Sequence, residues 1–92
     1  MRVRITRYAR QRWLDYGGGG ELRPGWVRSR LVSAFLKGVR VVAGAVYIRL
    51  GRDGRGRALF GVFIPEAGGW ALVTVRRRRR VPAARARRPG AR

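Results

Sequence analysis

The side chains able to do chemistry in this 92-residue chain are nearly all arginine and tyrosine, with a single lysine, Lys37, and four carboxylates, Asp15, Glu21, Asp53 and Glu66. There is no histidine, so the usual base at neutral pH and the commonest metal ligand are both missing. There is no cysteine either, which removes thiolate nucleophiles, disulfides and thiolate-bound metal. The four carboxylates are spread too widely to form a paired acid/base site or the acidic cluster of a two-metal nuclease. Ser29 and Ser33 have no base beside them to activate a hydroxyl. No metal and no cofactor is expected. What remains is recognition: Tyr8, Arg10, Arg12, Trp13 and Tyr16 interleave early in the chain, and Tyr47, Arg49, Arg57, Phe63 and Trp70 later. Arginine supplies forked phosphate contacts and stacks on rings, and aromatic faces stack on bases.

The charge balance points the same way. Twenty-three basic residues against four acidic ones give +19 and a pI near 12, which calls for a polyanionic partner, most simply nucleic acid. The preference for Arg over Lys fits a GC-rich genome, but codon usage does not explain the scarcity of acids. Residues 1–75 carry fourteen basic and all four acidic side chains, and residues 76–92 carry nine arginines and no acid. Beyond Val81 no bulky apolar residue follows, and Pro82 and Pro89 interrupt any helix. A single domain over residues 1–78 and a disordered Arg-rich tail over 79–92 are therefore expected. No apolar run reaches the ~18 residues of a membrane span. The N-terminus has no hydrophobic signal core, so no membrane partner and a cytoplasmic setting are expected.

The elements that must position these residues have local signals. Met1–Ile5 reads as a short strand or an extended lead-in. Thr6 then offers an N-cap for a helix over residues 7–16, with Ala9, Trp13 and Tyr16 as its apolar stripe. Gly17–Gly20 ends that helix and reads as a flexible connector, since no Lys-Ser/Thr pair follows to make a phosphate loop. Pro24 opens a second helix that closes at Lys37-Gly38, its inner face Val27, Leu31, Ala34 and Phe35. Val39–Val42 reads as a short strand or a turn. Three strands follow at 45–50, 57–64 and 70–77, with a hairpin at Asp53-Gly54 and a turn over Pro65–Gly69. Trp13 and Phe60 are expected in the core. The fold expected is α+β: two N-terminal helices on one face of a three-stranded antiparallel sheet, four-stranded if Met1–Ile5 joins it.

This order resembles the RelE/ParE/BrnT group of small toxins. The residues that carry the resemblance are Ile5-Thr6-Arg7-Tyr8-Ala9-Arg10-Gln11-Arg12, similar to a T-x-H-A-x-x-R opening with Tyr8 in the histidine's place. Ala45-Val46-Tyr47-Ile48-Arg49-Leu50 resembles the first meander strand of that group, and Leu72-Val73-Thr74-Val75-Arg76 the last. The resemblance implies a metal-independent endoribonuclease that acts on mRNA, free or on the ribosome, and is neutralised by an acidic antitoxin. Such enzymes position a 2′-hydroxyl for in-line attack while basic side chains stabilise the phosphate. It implies Tyr8, Arg12, Tyr47, Arg49 and Arg76 as catalytic candidates. Arg7, Arg10, Arg57, Arg77, Arg78, Arg79 and Arg80 are the expected nucleic-acid contacts, RNA before DNA. Two other readings stand beside the enzyme: a non-catalytic ribosome- or DNA-associated basic protein, and an interaction module for an acidic protein.

Overall fold

Thr6 is the pivot of the N-terminal elements. Its hydroxyl accepts the Ala9 amide at 3.1 Å as an N-cap and donates to the Leu72 carbonyl at 3.0 Å. The computed structural model describes residues 1–77, and in it Thr6 joins strand β1 (Arg2–Ile5) to helix α1 (Arg7–Asp15). Helix α2 (Pro24–Leu36) follows, then strands β2 (Val46–Arg52), β3 (Ala58–Glu66) and β4 (Gly69–Arg77). The fold is α+β in the expected order. The expected tail, with Arg78, Arg79 and Arg80, lies outside the described residues.

The sheet has four strands in the order β1-β4-β3-β2, and it is mixed rather than antiparallel. Strands β2, β3 and β4 form the expected meander, but β1 runs parallel to β4, with Val3 opposite Trp70 and Ile5 opposite Leu72. The cause is topological. Both helices follow β1 and carry the chain to β2 at the far edge, and the meander walks back until β4 arrives beside β1. The alternation of Val3 and Ile5 is the same for either strand direction, so nothing local announces the pairing. Gly69 permits it, because a Cβ there would sit 2.0 Å from the Arg2 carbonyl oxygen.

Both helices cover one face. Ala9 and Trp13 of α1 and Val27 and Leu31 of α2 close over Val46, Ile48, Leu50, Leu59, Phe63, Leu72 and Val75. Phe35 packs its ring on Trp70 at 5.4 Å. Phe60, expected in the core, lies outside this cluster and is only half-buried, and Phe63 fills the core instead. A second departure comes from two register shifts, at Arg49/Gly51 and opposite Val62/Phe63. The latter leaves Val73 as the extra residue of β4, so Leu72 and Val75 share the helix face three positions apart.

The connections also differ. Pro65 and Glu66 belong to β3, and the turn is reduced to Ala67-Gly68. Beyond Phe63, β3 has no β2 neighbour, so a proline there interrupts no ladder with β2. Of the two readings of Val39–Val42 the turn holds: a single bridge, Val42 to Ala45, closes it. The glycine run is not a loose connector. The Trp13 indole donates to the Gly20 carbonyl at 2.8 Å, and the run folds around that ring. The Gly54 amide donates to the Tyr16 carbonyl at 3.1 Å, which docks the β2–β3 hairpin on the end of α1. Among the described residues no helix is long and apolar enough to cross a membrane.

Candidate nucleic-acid interface

Strand β1 stops at Ile5, opposite Leu72, so the C-terminal half of β4 has no strand on that side. Helix α1 lies there instead. Tyr8 and Arg12 of α1 and Tyr16 at its C-cap follow at four-residue spacing, and this stripe looks across an open cleft of about 500 Å³ at Thr74, Arg76 and Arg77.

The cleft wall alternates ring and cation. The Arg12 guanidinium lies 5.8 Å from the Tyr8 ring centre and 4.6 Å from that of Tyr16, and Arg77 approaches Tyr16 at 4.6 Å as well. Arg12 also donates from Nη2 to the Tyr16 hydroxyl. Its Nε is shut away from solvent without an acceptor, so the guanidinium leans on the ring faces. Tyr8 closes the stack at its outer end and is 60% exposed.

Asp53 sets the inner end. Its Oδ1 accepts the Arg55 and Arg57 amides at 2.8 Å each, which pins the hairpin turn. Its Oδ2 faces Arg57 Nε and Arg77 Nε, both at 3.3 Å. Burial works against the Asp53 charge. The two backbone amides, with Arg57 and Arg77 close by, outweigh it and hold the carboxyl below the ordinary carboxylate range. Asp53 thus aims Arg77 at the Tyr16 ring and ties Arg57 to the same network. Both arginines keep about half of their side-chain surface in solvent (48% and 52%).

Three of the five catalytic candidates, Tyr8, Arg12 and Arg76, meet in this cleft, and Arg77 joins them. Tyr47 and Arg49 do not. They lie on β2 at the opposite edge of the sheet and line a second, smaller groove of about 330 Å³ with Arg30, Ser33 and Lys37 of the α2 side. The five therefore do not form one site. Arg7 is exposed on α1 and does not line the cleft. Arg10 turns the other way and donates to the Leu22 carbonyl at 2.9 Å, holding the connector.

Tyr16, expected among the interleaved aromatics and in the apolar stripe, lines the cleft; Thr74, which was not expected, lines it too, and Asp53, also unexpected, stands behind it through Arg77. The 8-12-16 spacing is the signal that marks Tyr16, and it is masked by the overlapping 9-13-16 apolar stripe. Nothing in the sequence ties Asp53 to Arg77, twenty-four positions on. Among the described residues no three His, Cys, Asp or Glu side chains gather as a metal site requires. Comparison of the chain with protein-family models, with curated proteins and with solved structures gives no match.

Proposed function

We propose that this chain binds single-stranded nucleic acid, RNA in preference to DNA, in the α1–β4 cleft. The observation that carries the reading is the alternating stack Tyr8–Arg12–Tyr16–Arg77 along an open cleft, with Arg76 beside it. The Arg76 side chain makes no hydrogen bond or ion pair among the described residues. In this reading a phosphate sits between Arg76 and Arg77, and an unpaired base stacks on the exposed Tyr8 ring. The hydroxyls of Tyr8 and Thr74 offer partners to a ribose 2′-hydroxyl, the group that distinguishes RNA. Arg12, held between two rings, keeps the wall positive and fixes the ring faces. An acidic protein segment would compete for the same cations, and a cytoplasmic setting follows from the nucleic-acid role.

The direct test is a fluorescence anisotropy titration of an unstructured RNA oligonucleotide and its DNA counterpart. Tight, salt-sensitive RNA binding that Tyr8→Leu weakens supports the reading. Equal affinity for wild type and Tyr8→Leu overturns it.

A second reading is the RelE-like endoribonuclease, favoured by the convergence of Tyr8, Arg12 and Arg76. There the cations would hold the scissile phosphate while a 2′-hydroxyl attacks in line. Arginine does not give up its proton near neutral pH, so only the two tyrosines, Tyr8 and Tyr16, are left among the lining residues to take the 2′ proton, with no carboxylate beside them. Binding is therefore the simpler function of this arrangement. RNA incubated with the protein in EDTA, alone and with translating ribosomes, decides: cleavage in either establishes the enzyme, and intact RNA in both removes it.

A further inference from the structure

The face of the sheet turned away from the helices carries its own row of residues. Across three strands Arg49 of β2, Phe60 of β3 and Arg76 of β4 stand in register. Tyr47, Val62 and Thr74 form the next row. With neighbouring strands about 4.8 Å apart, the two arginines flank Phe60 with their Cα atoms roughly 10 Å from each other. Phe60 is half-buried in the sheet surface and belongs to no part of the helix-side core. The side chains of Arg49 and Arg76 make no hydrogen bond or ion pair among the described residues. The far end of the same face is different, because Arg4 is already paired with Glu66 at 2.8 Å.

We infer that this face is a stacking platform for one unpaired base of a single-stranded nucleic acid, with Phe60 beneath the base and Arg49 and Arg76 holding the phosphates on either side. The inference rests on the nucleic-acid reading above and extends it, because Arg76 belongs both to the α1–β4 cleft and to this row. A strand leaving Tyr8 would pass over Arg76 onto Phe60 and end at Arg49. This gives Arg49 a place in binding despite its distance from the cleft. A ring on a sheet face can be stacked only by a base free of its own stack, so duplexes are excluded from the platform. Charge complementarity selects the occupant: the row holds two cations and no anion.

The test uses the full chain, a single-stranded RNA 12-mer, the corresponding RNA duplex and poly-glutamate. Phe60→Leu keeps an apolar side chain and removes the ring; Phe60→Tyr keeps a ring. The far-UV spectrum and melting temperature of both variants show that each is folded. Phe60→Leu should weaken single-strand binding about 5- to 100-fold, the usual range for loss of one stacked base. Phe60→Tyr should bind as wild type, and duplex binding should not change in either variant. A folded Phe60→Leu that binds the single strand like wild type, while Tyr8→Leu is weakened, overturns the platform and leaves the cleft standing. Absence of RNA binding by the wild type removes both. Competition by poly-glutamate that depends on Phe60 would assign the face to an acidic polypeptide and overturn the inference.

Discussion

Two adjacent glycines should respond to the same substitution with opposite sign. A Cβ at Gly18 would lie 2.3 Å from the Trp13 indole, closer than any real contact. The indole cannot retreat freely. It is only 4% exposed, its six-membered ring edge would meet a Cβ at Gly51 at 3.0 Å, and its Nε1 is tied to Gly20. Gly18→Ala therefore forces overpacking, about 1–3 kcal/mol. Displacing the indole also strains a hydrogen bond with a net worth of about 1 kcal/mol. Against this, losing a glycine stiffens the unfolded chain and returns roughly 0.4–1 kcal/mol. The net expectation is a loss of about 1–3 kcal/mol, or roughly 5–20 °C in Tm for a domain of this size. At Gly19 a Cβ would meet nothing within 4 Å, and the backbone there is not left-handed. Gly19→Ala should accordingly gain the roughly 0.4–1 kcal/mol of the unfolded-state effect. Urea unfolding of the two variants and wild type, monitored by tryptophan fluorescence and circular dichroism, reads both. If Gly18→Ala is as stable as wild type, the run is a plain linker and its account as a mould for Trp13 is wrong. Equal losses at both positions would refute the reasoning too.

Stability should be flat through neutral pH and fall as the pH drops through the ordinary carboxylate range, around pH 4. Asp53 and Glu66 both have lowered pKa values in the fold, so the folded state binds fewer protons there than the unfolded chain, and acid favours unfolding. Asp53→Asn should lose its share of that acid limb in urea midpoints taken from pH 3 to 7; an unaltered limb would contradict the network at Asp53. Removal of residues 79–92 should weaken RNA binding for all sequences alike and flatten its salt dependence, measured by anisotropy. Unchanged binding would mean that the arginines of that segment contribute nothing.

The elements were legible because their signals are local. Thr6 caps α1, Pro24 opens α2, and Asp53-Gly54 turns the β2–β3 hairpin where turn chemistry places them. What was illegible is what distant residues do to one another. The parallel partner of β1 lies more than sixty positions away. The bulge that leaves Val73 unpaired displaces the alternation of β4, and no residue type announces it. Phe60 and Phe63 have the same chemistry three positions apart on a strand, so only the placement of the helices decides which is core. The cleft follows the same division. Tyr8 and Arg12 are neighbours by helical period, whereas Arg76 and Arg77 meet them because β1 ends early and α1 fills the vacant edge.

The claim that the α1–β4 cleft is a nucleic-acid site is tested most directly by single-strand RNA affinity, wild type against Tyr8→Leu, over a salt series. Four exposed cations in or beside the cleft and its adjoining face, Arg49, Arg57, Arg76 and Arg77, should give log K against log salt a slope of about −3 or steeper. Tyr8→Leu should lower the affinity about 5-fold or more at every salt concentration and leave the slope unchanged, because a stacked ring releases no counterions. A Tyr8→Leu protein that stays folded and matches wild type at every salt concentration would contradict the account.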